Sequence, residues 1–265
     1  EAVVEVDEDA MTAYLEEDAP PAPDQAAKLL TRSMAEGSLV PVLCCSPISG
    51  QGVDEVLKFM GTFFPSPLDG PFFQDSDGNP IKPTDDGAVA YVFKTIIDPF
   101  VGQLCLLRVL RGEISDGDHL QLSSTDKSEK ITHIETLQGK EHHPSGSGVT
   151  GDVVAVGKMD HLVTGDTLSD PAHAVKVKPV RVPRSMVARA ISPKDHADEV
   201  KLATGLKRAA AEDLTFFYER SESTGELVGH GVSLMHLEGV LKRMKERYKV
   251  EVDLAVPRVA FQESC

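Results

Sequence analysis

No run of 18 apolar residues occurs in the 265-residue sequence, so no segment is suited to cross a bilayer as a helix. The first residues, Glu1 to Asp7, have no basic region and no apolar core, which excludes a secretory signal there. That opening reads instead as a cut made within a longer chain. Cysteine is scarce: Cys44, Cys45, Cys105 and Cys265 are the only four. No CxxC occurs and no second Cys/His group has zinc spacing, so reduced thiols acting as small core residues are expected. No G-x-x-x-x-G-K-[ST] and no N-K-x-D occurs either. Without a phosphate-cradling loop or a guanine-reading motif, these residues cannot hold a magnesium nucleotide as P-loop enzymes do. No Ser/His/Asp or Cys/His set is spaced to suggest a nucleophile.

What is present is ordinary in composition and uneven in charge. Apolar residues make up 41% and charged residues 26%, as in globular chains of about two domains. The net charge is −15, with about −12 in residues 1–80, about −4 in 81–178 and about +1 in 179–265. An acidic bulk argues against gripping naked nucleic acid over the whole surface. It leaves room for local basic faces toward the C-terminus.

Three patterns follow one another. Residues 1–37 read as helices, broken at Pro20-Pro21 and ended by Gly37. Val40 to Cys45 is a short apolar run suited to a buried parallel strand. The loop Ser46 to Gly52 follows, then a helix over Val53–Phe64 with Val53, Val56, Leu57, Met60 and Phe64 on one side. This is half of an α/β unit. A Pro/Gly/Asp-rich linker spans 69–86. From 87 to 178, short apolar stretches at 90–96, 102–111, 119–122 and 153–156, separated by turn signals, predict an all-β barrel. From 179 to 265 the order is strand, helix (195–212), strand, strand, helix (to Tyr248), strand, which is the ferredoxin-like βαββαβ arrangement. Val200, Ala203, Leu206 and Ala210 are the expected inward face of its first helix; Leu237, Leu241, Met244 and Tyr248 are that of its second, capped by Ser233.

Two nucleotide-like patterns fail on context. Gly146 to Gly151 matches G-x-G-x-x-G, but a strand, not a helix, follows it. Asp75-Ser76-Asp77-Gly78 matches D-x-x-G, but lies in the linker and reads as a turn. His142-His143 reads as a solvated loop tip, and His236 as a polar residue at a packed edge near the last helix, beside His230. Lys242, Arg243, Lys245, Arg247 and Lys249 crowd that helix. A solvated face with cations near a helix C-terminus accounts for them; a partner-facing patch is the sharper reading.

Taken in order, these segments resemble the elongation factor G family of translational GTPases over nearly the whole chain. Val40 to Cys44 with Ser46 and Gly52-Val53 is similar to the last strand and guanine-contacting loop of its G domain, and Phe64-Pro65-Ser66-Pro67 to its Leu-Pro-Ser-Pro. Phe93-Lys94, Asp98-Pro99-Phe100-Val101-Gly102, Arg108 to Gly112, Gly151 to Val156 and Thr164 to Leu168 resemble its second domain. Glu212 to Phe216, Glu222 to Glu226 and Met235 to Glu238 resemble its third. The departures are local. The family's Gly-Met-Gly-Glu-Leu-His-Leu-Glu is here Gly231-Val232-Ser233-Leu234-Met235-His236-Leu237-Glu238, which suggests a divergent paralogue.

The resemblance implies a multidomain fold: the end of a P-loop GTPase domain (1–68), a linker (69–86), a translation-factor β-barrel (87–178) and a ferredoxin-like domain (179–265). It implies a cytoplasmic, ribosome-dependent parent that hydrolyses GTP with magnesium and promotes translocation. This piece is itself not catalytic and not expected to bind the nucleotide. Ser46, with Pro47, would be its one nucleotide contact. The implied partners are ribosomal RNA, small-subunit proteins and the rest of its own chain, with no membrane; Lys242, Arg243, Lys245 and Arg247 would face the ribosome. A paralogue acting in ribosome recycling, rescue or antibiotic protection keeps the fold and changes the task. A non-catalytic ribosome-binding or scaffold module is the reading from another class.

Overall fold

The computed structural model describes residues 2–17, 19–70, 72–98, 101–159 and 161–259. Pro99, Phe100 and Cys265 of the motifs above lie outside the described residues. The chain divides into two compact bodies: residues 1–73 with 80–83, and residues 74–79 with 84–265.

The first body is helical. It holds α1 (Glu8–Glu17), α2 (Pro23–Glu36) and α3 (Val53–Phe63). Pro23 opens α2, where a missing N–H costs nothing. Val4, Ala10 and Leu29 form a small buried cluster, and Arg32 ties α2 to Asp7 at 2.9 Å. Two expectations are corrected here. Val40 to Cys45 forms no strand, and Val40 and Val42 are 79% and 86% exposed. A strand buried on both faces needs neighbours, and every strand among the described residues lies in the other body. For the same reason Cys44 and Cys45 are exposed rather than core residues, while Cys105 is buried as expected. The α3 helix is present, but none of its residues is fully buried: Val53 and Val56 are half-buried, and Leu57 and Met60 are exposed.

The second body begins with the barrel. Its strands are β1 (Val89–Asp98), β2 (Gly102–Arg111), β3 (Glu113–Ser115), β4 (His119–Leu122), β5 (Ser128–Lys130), β6 (Ile134–Gln138), β7 (Glu141–Pro144), β8 (Ser147–Val149), β9 (Val153–Gly157) and β10 (Thr167–Ser169). Eight of them form one antiparallel sheet in the order β5-β4-β10-β1-β2-β9-β6-β7, and β3 pairs with β8. Residues from widely separated strands, such as Leu122 of β4 and Ile134 of β6, meet Leu107 and Val154 in one core, so the sheet curls on itself. In β1, Val92 pairs with Leu107 and Lys94 with Leu106, which leaves Phe93 as the extra residue of a bulge. His142-His143 sits in β7, paired with β6, not at a loop tip. The loop of Gly146 to Gly151 carries β8 and leads into β9, as its context required. Asp75 to Gly78 is a turn in which Asp75 Oδ1 accepts the Asp77 and Asn79 amides.

The ferredoxin-like part follows with β11 (Val187–Pro193), α4 (Glu199–Glu212), β12 (Phe217–Arg220), β13 (Leu227–Gly231), α5 (Leu234–Tyr248) and β14 (Val252–Ala255). Its sheet order, β12-β13-β11-β14, is antiparallel throughout. Two βαβ units interleave to give this order. Phe216, Ile191, Leu202, Leu206, Leu237, Val240, Leu241, Met244 and Val250 make the core. The inward face of α4 holds at Leu206 and Ala210 and is corrected at its start: Leu202 and Gly205 point in, whereas Val200 is 78% exposed and Ala203 is exposed. The reason is the crossing with α5. A Cβ at Gly205 would stand 2.8 Å from Met244 Cε, so the helices meet at the glycine, and the small residue sets the face.

Ser233 caps α5, its Oγ accepting the His236 amide at 3.1 Å. This departure from the family's glycine thus has a local role. Ser233→Ala is expected to lower stability by about 1 kcal/mol, read as a shifted urea midpoint at unchanged slope.

Candidate functional site

One carboxylate joins the two halves of the second body. Glu212 ends α4, where a carboxylate meets the negative end of the helix dipole and needs compensation. It receives two donors. The Ile97 N–H donates to Glu212 Oε1 at 2.8 Å, and Arg247 Nη1 donates to Oε1 and Oε2, each at 2.8 Å. Ile97 is free to do this because β10 registers only with Val89 to Tyr91, leaving the far end of β1 with one open edge. One carboxylate therefore links barrel strand β1, α4 and α5. The Arg247 guanidinium is held above its ordinary pKa, first by the hydrogen bond to Glu212. The next turn of the barrel is fixed by the Asp98 side chain, whose Oδ1 accepts the Val101 amide at 2.9 Å.

The neighbouring residue starts a second network. Asp213 Oδ1 accepts the Thr215 hydroxyl at 2.6 Å and the Thr215 amide at 3.0 Å. Asp213 Oδ2 lies 2.9 Å from His236 Nε2. The Val232 amide donates to His236 Nδ1 at 3.3 Å, so the hydrogen-bond pattern assigns the proton to Nε2 and makes it the donor to Asp213. The hydroxyl donates to the carboxylate and not to the imidazole, so the set does not activate a nucleophile. It fastens the α4–β12 corner to the start of α5. Burial alone would raise the Asp213 carboxyl; the hydrogen bonds from Thr215 and His236 outweigh it and hold the group below its ordinary value. A depressed carboxylate stabilises the fold above its unfolded pKa and loses that contribution as pH falls through its folded one. Thermal stability is expected to drop below pH ~3.9, and to drop less in Asp213→Asn, measured by melting across a pH series.

His236 is thus a half-buried polar residue at a packed edge, as its surroundings in the sequence suggested. His230 lies on β13, its ring flat against Phe217 at 4.3 Å. The third motif, Glu222 to Glu226, is a turn in which Glu226 accepts the Arg258 amide and Nε, each at 2.9 Å.

The basic cluster on α5 is largely committed within the chain. Arg247 holds Glu212, Lys245 Nζ lies 2.6 Å from Glu251, and Arg243 lies 3.9 Å from Asp213. Lys242 is exposed on the same helix. Ser46 and Pro47 lie in the first body, Ser46 half-buried and Pro47 exposed. The Ser46 amide donates to Gln51 O at 2.8 Å, and Ser46 Oγ accepts the Ser49 amide at 3.4 Å. That loop also carries the Ser49 hydroxyl and the Gln51 side chain. Among the described residues, no three His, Cys, Asp or Glu converge as metal ligands. No described helix is long and apolar enough to cross a membrane.

A curled antiparallel barrel followed by a ferredoxin-like domain is consistent with a multidomain translation factor. Comparison with known proteins agrees. Residues 87–171 match the family model of elongation factor G domain 2, and residues 182–256 match that of elongation factor G domain III. Elongation factor G of Cereibacter sphaeroides strain KD131 is 32% identical over 273 aligned positions, covering 100% of this chain and 39% of that protein. Its counterpart in strain ATCC 17023 has the same 32% identity and 39% coverage. A crystal structure of a Thermus thermophilus protein aligns with a TM-score of 0.77 and 30% identity, over 97% of this chain and 37% of that one. The chain therefore belongs to the elongation factor G family, carries its second and third domains in order, and spans about two fifths of the length of those relatives.

Proposed function

We propose that the chain is the barrel and ferredoxin-like portion of a ribosome-dependent GTPase that promotes translocation in the cytoplasm. The observation that carries this reading is similarity to elongation factor G over the whole chain, with both domain models matched in order. The parent protein would bind GTP and magnesium and would be the enzyme; this portion would transmit its state. Ser46 and Pro47 would lie at the guanine edge of that parent's nucleotide site. The barrel would dock on ribosomal RNA and the ferredoxin-like domain would meet small-subunit proteins and the rest of its own chain. On α5, exposed Lys242 is best placed of the four basic residues to reach the ribosome, since Arg243, Lys245 and Arg247 have internal partners.

The second reading is a paralogue acting in ribosome recycling, rescue or antibiotic protection. It is favoured by Ser233 and Leu234, which replace the family's glycine and glutamate at the start of α5. The full-length protein separates the two. Movement of peptidyl-tRNA on pre-translocation ribosomes supports the first, whereas subunit splitting or drug release without that movement supports the second. A full-length protein that does neither and binds ribosomes without GTP turnover is a scaffold, and both readings then fail.

A further inference from the structure

A buried cation in the barrel has fewer partners than its chemistry demands. Arg111 ends β2 and is 6% exposed. Its Nε donates to Gly87 O at 2.7 Å. Its Nη2 is buried without a hydrogen-bond partner, and Asp85 Oδ2 forms only a loose ion pair with Nη1 at 3.9 Å, beyond hydrogen-bond reach. A guanidinium has five N–H donors and cannot shed its charge, so burial has to be met by acceptors. Against this side chain lies an open bowl of about 640 Å³, lined also by Thr84, Asp85, Asp86 and His173. The bowl is a built feature. Gly87 has φ +82, and a Cβ there would stand 2.8 Å from His173 Cβ and 3.0 Å from its Nδ1. Only glycine lets the chain offer its carbonyl to Arg111 and the histidine form the opposite wall.

We propose that this bowl binds one carboxylate of a partner molecule, received by Nη1 and Nη2 of Arg111 as Asp85 swings out. Three observations select a carboxylate. The planar fork of a guanidinium matches a planar carboxylate in two parallel hydrogen bonds. Asp85 and Asp86 at the rim add negative charge, which disfavours a phosphate dianion. Asp85 itself, 48% exposed with its Oδ2 3.9 Å from Nη1, is a carboxylate standing at the mouth of the position and competes for it.

The test uses the 265-residue chain labelled with ¹⁵N, titrated with acetate, phosphate and chloride at equal ionic strength. Acetate is expected to move the Arg111 Nε–H and Gly87 amide signals saturably, while phosphate and chloride do not. Asp85→Asn removes the competitor and is expected to lower the acetate Kd about threefold or more; Arg111→Lys is expected to raise it about tenfold. Asp85 lies at the rim, so its variant carries the test even where Arg111→Lys fails to fold. A C-terminally amidated acidic peptide and a neutral peptide with a free terminus then distinguish side-chain from terminal carboxylates, and saturation by either supports the site. No saturable acetate shift in either the parent sequence or Asp85→Asn, tighter binding of phosphate than acetate, or weaker acetate binding by Asp85→Asn overturns the proposal.

Discussion

Phe216→Ala is expected to destabilise the ferredoxin-like domain by about 3–5 kcal/mol. Phe216 is 2% exposed and lies where α4 hands over to β12, in the cluster with Ile191, Leu206 and Leu237. A Cβ at Gly229 would stand 2.5 Å from Ile191 Cδ1 and 3.4 Å from the Phe216 ring, so β13 is already as close to this cluster as a glycine allows and has no bulk with which to fill a void. A loss of that size approaches the whole stability of a small domain. Hydrogen exchange resolved by residue checks it: β11 to β14 should lose protection while β1, β2 and β9 of the barrel keep theirs. A loss below about 1 kcal/mol would mean that the ring is replaceable by rearrangement, contrary to the packing described.

Glu212→Ala is expected to cost about 2–3 kcal/mol and to loosen the barrel from the ferredoxin-like domain. The substitution leaves the Ile97 N–H without its acceptor and Arg247 without both bonds. Arg247 is 45% exposed, so water recovers much of its share, and the larger part of the cost belongs to the orphaned amide. Glu212→Gln separates the two contributions, because a side-chain carbonyl still accepts from Ile97. It should cost about half as much. The Ile97 amide is the direct reporter. Its exchange should quicken in Glu212→Ala and stay slow in Glu212→Gln; unchanged exchange in both variants would mean that the clamp does not persist in solution.

These two residues show where the sequence was legible. Element type was readable wherever one face meets a core, because the period of apolar residues records it. The strands at 102–111 and 227–231 and the capped helix from Ser233 are seen where the pattern placed them. The face of α4 was readable at Leu206 and Ala210 but not at its first turns, because a glycine crossing point, Gly205, carries no hydrophobic signal. Val40 to Cys45 has the composition of a buried strand, yet composition cannot supply the neighbours a strand requires. The junction was the hardest to see. Glu212 and Arg247 are 35 positions apart, and the other donor to Glu212 is a backbone amide, which no side-chain pattern announces. The Asp213–Thr215 spacing does carry a local signal, since an aspartate commonly accepts an amide two residues on. The basic residues of α5 looked like one patch in sequence; their acceptors, Glu212, Asp213 and Glu251, come from elsewhere in the fold.

The most direct measurement is GTP hydrolysis by the full-length protein, with and without ribosomes. Strong stimulation by ribosomes is the expected result, and it would leave translocation against recycling or protection as the remaining question. No hydrolysis in either condition, by protein shown to be folded, would contradict the assignment as part of a translational GTPase and put the scaffold reading in its place.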